Sequence, residues 1–554
     1  MKKIFTLSVL FCSGIAFAQL PTLEWHGAFG GPQNDAGTSM SLAPDGSLYI
    51  TGNFSGTVDF DPGTGIETRT AVGSVNTFIQ KLSTTGALLW VKTLNLNTVA
   101  FTSLCKADAA GNVYIAAPFT GTADLDPGAG VANVVTSLNN NTFLLKLTPA
   151  GDYVWAKAME TVGGSPSAVY ALQTDANGNI YSSGYYSGSL TQGNTTITSA
   201  GSLDSFIQKY DSNGNPLWLK SFGGSEIDLA SQIVMDGSGN IYVTGIFQGT
   251  SDLDPGAAQF NVTGQGFTDA YITKLSTAGD FIWAKTLGGN NQEGFGDIKV
   301  DSNGNIYVAA YSNSITLNIA TQPATAFTTN GSYDSLLLKL DSSGNPLWVR
   351  QFGGTGSDFA VRLIIDNAGK IVVTGQFTEV MNFGPLGSTT ITSAGGSDIF
   401  IAMFSVDGEF EIGYSFPGGG VESIYDFFSD AAGDYYMLGR YNQSFDVDPS
   451  AATATITSNG FEDYFVAKYH PQSLGSETFK SIENFVLYPN PSNGNFTIEG
   501  NGIENAEITI SNNLGKVVKQ YKTGDDVTNR LSAGVYFVEV AANGKREVKK
   551  MIVK

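Results

Sequence analysis

Histidine and cysteine, which build most hydrolytic and redox centres, are nearly missing from these 554 residues: two histidines (His26, His470) and two cysteines (Cys12, Cys105). Cys12 lies in an N-terminal stretch that reads as a removable signal, so no intrachain disulfide is expected and stability must come from packing. Cys105 sits in an apolar run and reads as a buried, inert thiol. Charged residues make up only 14% of the chain, and no stretch has the period of a long amphipathic helix. Gly-x-Ser-x-Gly, His-Glu-x-x-His and phosphate-loop patterns are absent, so no catalytic motif is legible. Beyond the N-terminus no apolar run reaches the ~20 residues that would span a bilayer.

That N-terminus has the parts of an export signal. Lys2 and Lys3 precede the mostly apolar Ile4–Phe17, and Ala16-Phe17-Ala18 supplies a small-x-small pattern, placing cleavage between Ala18 and Gln19. A lipoprotein reading through Cys12 is opposed by the bulky Phe11 before it. The formal net charge is −21. Residues from 480 onward carry 10 Lys and Arg against 8 Asp and Glu, and the signal adds two lysines, leaving about −25 on residues 19–479. Such a surface repels phosphate backbones, so nucleic acid is not an expected partner.

What the chain has in quantity is glycine, 67 residues, and aromatics, 12%, arranged in a repeat of about 65 residues. Trp25, Trp90, Trp155, Trp218, Trp283 and Trp348 recur at one slot, with Ile412 in the seventh. An Asp-x-x-Gly-Asn turn precedes an apolar strand at Asp108–Tyr114, Asp175–Tyr181, Asp236–Tyr242 and Asp301–Tyr307, with degenerate copies at Pro44–Tyr49, Asp366–Val372 and Asp430–Tyr436. A strand of the form Asp-x-Phe-Ile-x-Lys follows in each unit, as at Ser205–Lys209 and Ala270–Lys274. Four strands per unit, seven times, predict an all-β, seven-bladed β-propeller. The surplus between second and third strands, such as Gly56–Val75, reads as protruding hairpins or loops. The last Lys strand lacks a Trp strand after it and the first Trp strand lacks a Lys strand before it. Residues 23–29 are therefore expected to close the final blade beside 463–469, removing the open edge. The expected domains are a signal peptide (1–18), the propeller (19–470), a linker (471–483) and a small C-terminal β-sandwich (484–554).

The strings Gly-Asn-Ile-Tyr-Val-Thr-Gly at 239–245 and Trp-Ala-Lys-Thr-Leu-Gly-Gly at 283–289 resemble the propeller repeats called SBBP of secreted bacterial proteins, over residues 23 to about 470. That resemblance implies a fold and no reaction. The tail resembles the type A C-terminal sorting domain of the type IX secretion system of Bacteroidetes. The resemblance rests on Tyr488-Pro489-Asn490-Pro491, Gly494, Leu514-Gly515-Lys516, Leu531 to Tyr536 (including Gly534) and the basic ending Lys549–Lys554. It implies export to the periplasm by the signal, outer-membrane translocation by the type IX machinery, removal of the tail, and either release or attachment to the cell surface.

Residues present in most repeats maintain the repeat, whereas a functional site should break it. By that rule the tryptophans pack blades, and the repeated lysines with Asp204, Asp269, Asp334, Asp398 and Asp463 form strand-edge or interblade pairs. Two acidic patterns carry hypotheses. Asp59 with Asp61, Asp124 with Asp126, Asp252 with Asp254 and Asp446 with Asp448 precede a tight turn and could ligate calcium with loop carbonyls, though Asp-Pro-Gly is also an ordinary turn. Asp35, Asp228, Glu293, Asp358 and Glu422 could ring the channel mouth and attract a cation, or cap the preceding turn. The expected function is an exported, non-enzymatic binding scaffold for an extracellular glycan or protein. The alternatives are a carboxylate-dependent polysaccharide or peptide hydrolase with its site in the funnel, and a structural surface-layer component.

Overall fold

Each repeat is organised by the turn its sequence dictates. In the computed structural model the Asp108 carboxylate accepts the amides of Ala110 and Asn112, both at 2.9 Å, while its other oxygen takes Asn112 Nδ2 and the Tyr114 hydroxyl. Gly111 sits at φ +82°, in the left-handed region that a β-carbon penalises. Asp175, Asp236 and Asp301 repeat the bonding to their asparagines. A hairpin so capped fixes the register of the strands it joins.

The structure describes residues 20–96, 103–136, 141–162, 166–314, 317–319, 329–384, 389–450, 452–471, 485–500, 503, 505–512, 517–523, 531–542 and 545–554. The signal-like stretch with its junction between Ala18 and Gln19, the linker after Pro471, and Leu514–Lys516 lie outside them. All secondary structure among the described residues is β; no α-helix occurs. The chain divides into two compact units, Phe17–Pro471 and a second containing Gln472–Lys554.

Seven four-stranded antiparallel meanders make up the first unit. Their first strands are Ala36–Leu42, Leu104–Ala107, Ser167–Thr174, Asp228–Met235, Glu293–Val300, Asp358–Ile365 and Ser423–Ser429, and the sheets are numbered one to seven in that order. Sheet four is representative: Asp228–Met235, Ile241–Phe247, Asp269–Leu275 and Phe281–Gly289. Its second and third strands are buried almost throughout, because apolar faces of the neighbouring sheets cover both sides. One apolar cluster joins Tyr242 and Ile272 of sheet four to Ile298, Val308 and Leu338 of sheet five. Another joins Ile50 and Phe78 of sheet one to Leu438 and Val466 of sheet seven.

Sheet seven is assembled from both ends of this unit. Thr22–Phe29 lies antiparallel to Asp463–His470, with Trp25 opposite Lys468 and Phe29 opposite Tyr464. The rings of Phe29 and Tyr464 stack at 4.9 Å. This pairing uses the strand expected at the sheet edge.

The surplus segments form the expected hairpins, but several are tied to a neighbouring sheet. Most are short, such as Thr250–Asp252 with Asn261–Thr263. Ser251 and Asp252 pair with Gly224 and Gly223 at the end of sheet three, and Met381 and Asn382 with Gly354 and Gly353 of sheet five. The glycine pairs let two backbones approach: a β-carbon on Gly354 would sit 1.5 Å from Val380 O. Each hairpin thereby covers an otherwise unpaired strand end.

The tryptophans join neighbouring sheets. Trp25, Trp90 and Trp155 donate their indole N–H to Thr84, Pro149 and Ser212 carbonyls in the third turn of the next repeat, at 3.0, 3.1 and 3.3 Å. The rings lie against that turn's left-handed glycine, as Trp283 does against Gly344. The repeated lysine of the third strand reaches the same turn from Lys81, Lys146 and Lys339. In sheet four Lys274 also lies 4.8 Å from the Tyr242 ring and 3.7 Å from Asp236.

In the second unit Val486–Tyr488 pairs with Thr497–Glu499, and Glu507–Asn512, Val517–Lys522, Gly534–Ala542 and Lys545–Val553 form a four-stranded sheet. Phe485, Leu487 and Phe496 share one core with Ile508, Val538 and Met551, so the two sheets pack face to face.

Candidate functional site

First strands carry a repeated irregularity: a bulge shifts the register in six of the seven sheets, as between Ala230 and Gln232 or Ala360 and Arg362. A bulge re-aims the side chains that follow it. Those side chains, from all seven first strands, surround a cavity of about 390 Å³. The slot after the bulge holds Ser39, Leu104, Ala171, Gln232, Asp297, Arg362 and Asp426, and the slot two further on holds Lys106 and Lys299 among uncharged residues. Here the sevenfold pattern is broken by charge.

Most of that charge has a structural occupation. Asp297 accepts the Lys299 ammonium (2.6 Å), its neighbour's amide at Ile298 (2.8 Å) and Leu363 N of sheet six (3.1 Å). Asp426 accepts Met40 N of sheet one at 3.0 Å and lies 3.8 Å from Arg362 Nε. Arg362 donates back to Val361 O and, at 3.5 Å, to Gly296 O of sheet five. These groups stitch first strands together, and both carboxylates are engaged. Lys106 is the exception. Its ammonium has no hydrogen-bond partner among the described residues, and burial pushes its pKa down while Asp426 and Asp297 push it up.

A second cavity, about 410 Å³, opens beside the first and shares Tyr170, Gln232 and Arg362 with it. Tyr170, Phe295, Tyr311 and Phe359 are the aromatic residues of its wall, and other rings pack on them. Tyr311, Tyr333 and Phe359 form a contiguous group with ring separations of 5.0 to 6.1 Å, and Tyr170 packs on Tyr185 at 5.5 Å. Tyr170, Tyr185, Tyr311, Tyr333 and Phe359 are half-buried. Between them stand two amides, Gln232 and Gln376, neither of which hydrogen-bonds any described residue. Sequence reasoning missed this group by looking for surplus tryptophan. A signal existed: in the second strand, where the units read Gly-x-Phe or close variants, x changes from Tyr185 to Ile246, Tyr311, Gln376 and Arg440.

Of the two roles open to the repeated acids, ringing a channel or capping a turn, the structure favours the second. Asp35, Asp228, Glu293, Asp358 and Glu422 are buried between sheets and do not line the channel. Turn capping forms at the three aspartates: Gly31, Gly224 and Gly354 each donate an amide to the aspartate four residues on, at 2.7 Å. Each acid meets a second across the seam between sheets: Asp35 with Asp463, Asp228 with Asp204, Glu293 with Asp269, Asp358 with Asp334, and Glu422 with Asp398. Both Glu422 carboxylate oxygens and the Oδ1 atoms of Asp204, Asp228, Asp334 and Asp358 find no donor. Burial raises these carboxyls to about 6 at Asp35 and Asp463, 7 at Asp228 and Asp358, and 8 at Glu422.

The eight aspartates of the calcium expectation, Asp59, Asp61, Asp124, Asp126, Asp252, Asp254, Asp446 and Asp448, each hold their own loop through Oδ1. Among the described residues no three His, Cys, Asp or Glu side chains converge as a metal cage. In each pair backbone amides occupy Oδ1. Asp59 Oδ1 accepts Asp61 N and Glu67 N, and Asp61 Oδ1 accepts Gly63 N. Asp124 Oδ1 accepts Asp126 N and Ala132 N, and Asp126 Oδ1 accepts Gly128 N at 2.8 Å. Asp252 Oδ1 accepts Asp254 N and Phe260 N, and Asp254 Oδ1 accepts Gly256 N at 2.7 Å. Asp446 Oδ1 accepts Asp448 N and Ala454 N, and Asp448 Oδ1 accepts Ser450 N at 2.8 Å. Of the histidines, His26 lies on the closing strand with its pKa lowered by burial, and His470 Nδ1 lies 2.6 Å from Asp434.

The tail brings its motif residues together. Asn490 donates to Lys550 O (2.6 Å) and accepts Ile552 N (3.0 Å), while Lys554 N donates to Ser492 O (2.9 Å). Gly494, at φ +103°, accepts Leu531 N, and the Tyr536 hydroxyl donates to Ser532 O near Gly534. Tyr488, Pro489 and Pro491 complete the turn, whose two X-Pro bonds are cis. Residues 486–554 match the secretion system C-terminal sorting domain. This tail marks the chain for export through the type IX machinery.

Two curated relatives are similar to longer parts of the chain. An uncharacterized WD repeat-containing protein of Acanthamoeba polyphaga mimivirus is 24% identical over 584 residues, covering 89% of this chain and 41% of the relative. The regulatory protein FlaEY of Caulobacter vibrioides is 25% identical over 230 residues, covering 40% and 23%. The chain spans less than half the length of these curated relatives. Among solved structures, a Synechocystis apocarotenoid oxygenase aligns with TM-score 0.36 and 11% identity, over 80% of this chain and 95% of that one. YCF48 bound to D1 peptide aligns with TM-score 0.25 and 13% identity, over 58% and 96%. No helix among the described residues is long and apolar enough to cross a membrane.

Proposed function

We propose that the chain is an exported binding protein: a closed, seven-bladed propeller of SBBP-type repeats, delivered by its sorting domain, that takes an extracellular ligand at the mouth of its central channel. The observation that carries this reading is the group at Tyr311, Phe359, Gln232 and Gln376. It combines half-buried aromatic faces with amides that no described residue satisfies, at a place where the repeats differ from one another. Polar groups placed sparsely in an apolar concavity are what ligand sites require. The pairing of the terminal strands and the apolar cluster joining sheets one and seven support ring closure. A non-catalytic role is supported by the engagement of Asp297 and Asp426, which leaves neither free as an acid or base. After removal of the tail the protein is released or held at the outer surface.

The test is a binding screen of the purified chain against glycans and extracellular proteins, repeated with the double variant Tyr311→Ala, Phe359→Ala. Ligands captured by the wild type should be lost by the variant. Capture unchanged by the double substitution places the binding surface elsewhere and sinks this reading.

A further inference from the structure

We infer that the ligand is an anionic polysaccharide, with a sugar ring stacked in the aromatic mouth and an acidic group directed down the channel toward Lys106; this rests on the mouth being the binding surface. Three features converge. First, Tyr311 and Phe359 pack 5.2 Å apart at the wall of a cavity that takes one or two sugar rings and excludes a folded domain. Flat aromatic faces suit the C–H faces of a pyranose, whose burial is apolar while its rim stays polar. Second, Gln232 and Gln376 each present an unspent donor and acceptor, the pairing that neighbouring sugar hydroxyls satisfy.

Third, the channel lining carries one cation more than it has carboxylates. The chain carries −21 overall, and its exposed loops are rich in aspartate. Inside the channel the balance reverses: Lys299 is matched by Asp297 and Arg362 by Asp426, and Lys106 remains as an excess cation. Equivalent positions in five other sheets hold Ser41, Gln173, Val234, Ile364 and Phe428, so the repeat does not require a lysine there. Lys106 is half-buried at the cavity wall with no ion pair among the described residues, and a bound carboxylate or sulfate would supply its counter-charge. Because the two cavities share Gln232 and Arg362, one oligosaccharide can occupy both.

The experiment is calorimetric titration of the full chain with oligogalacturonate, oligoalginate and a heparin-derived oligosaccharide, and with maltohexaose as the neutral control. At least one acidic oligomer should bind about tenfold more tightly than the neutral one, with affinity falling as salt rises. Lys106→Gln should erase that preference and its salt dependence. The double variant Tyr311→Ala, Phe359→Ala should weaken every oligomer by about tenfold or more. The milder Gln376→Ala, with melting temperature as a control, separates lost contacts from lost folding. Failure of all acidic oligomers, or an unchanged preference in Lys106→Gln, overturns the inference. If a protein ligand binds instead and is lost in the aromatic variant, the mouth survives and the polysaccharide does not. If the aromatic variant binds as well as the wild type, the mouth itself is rejected.

Discussion

At the scale of single residues, the repeat is held by a side chain of one unit fitting a backbone feature of the next. Trp283 packs on Gly344, whose φ of +78° and close neighbours leave no room for a methyl group: a β-carbon would lie 2.8 Å from Lys285 Cγ and 3.0 Å from Trp283. Gly344→Ala should therefore destabilise by about 1–3 kcal/mol, from the left-handed backbone and the displaced indole. Trp283→Ala should cost about 3 kcal/mol, since the ring is only partly buried. Urea unfolding of both variants checks the pair, and near-additive losses would count against a shared contact. The seventh slot confirms the logic by exception. Ile412 replaces tryptophan where the third and fourth strands of the next sheet come from opposite ends of the unit, so no connecting turn exists to be capped. Tryptophans and turn aspartates were legible in sequence because they repeat. Tyr311, Tyr333 and Phe359 were not, because each occurs at a different repeat position and only folding brings them together. The four pairs from Asp59 and Asp61 to Asp446 and Asp448 looked like ion ligands because alternate carboxylates are ambiguous until their amide partners are known. Asp126, Asp254 and Asp448 each spend an oxygen on the amide two residues on, as an ordinary turn does. Since backbone amides already hold each Oδ1, adding EDTA should leave the melting temperature unchanged; a drop of several degrees would favour the calcium reading.

Between elements, the seams carry acid pairs whose pairing the sequence left open. Spacing from Gly-Gly identified Asp228, Asp358 and Glu422 as equivalent, yet could not show that the third-strand aspartate of the preceding sheet faces each one. Gly353 shows the geometry: a β-carbon there would meet both Asp334 Oδ1 (2.6 Å) and Asp358 Oδ2 (3.0 Å). Two carboxylates in so dry a place disfavour double ionisation, and burial is the larger cause of their raised pKa values. The folded state thus holds protons more tightly than the unfolded chain. Its contribution is complete near the ordinary carboxylate range and is lost as pH climbs through about 6 to 8, the values of Asp35, Asp463, Asp228, Asp358 and Glu422. The melting temperature should accordingly be higher at pH 5.5 than at pH 8.5 in metal-free buffer. Replacing charge by amide in the triple variant Asp228→Asn, Asp358→Asn, Glu422→Gln should flatten the profile. A wild-type profile already flat across this interval would mean that the seams hold water or ions that keep the acids charged.

For the whole molecule, the decisive contact is the one most distant in sequence. Thr22–Phe29 supplies the outer strand of sheet seven, and without it Asp463–His470 becomes an open edge with Tyr464 and Lys468 stripped of Phe29 and Glu24. A single missing strand of eight residues would matter little in an open array, where each repeat leans only on its neighbours. In a ring it removes the link that makes the first and last sheets cooperative, because the cluster containing Ile50, Phe78, Leu438 and Val466 then lies beside a frayed sheet. Deleting residues 20–29 should thus lower the unfolding midpoint and its steepness together, and promote association through the bare edge. Re-attaching the same strand after Pro471 through a short flexible linker should restore both, since antiparallel pairing with Asp463–His470 needs only a tight reversal there. Denaturant melts with sedimentation measurements read the outcome. If the deletion unfolds with the wild-type midpoint and slope, the terminal strand is an accessory and the sheets do not depend on closure.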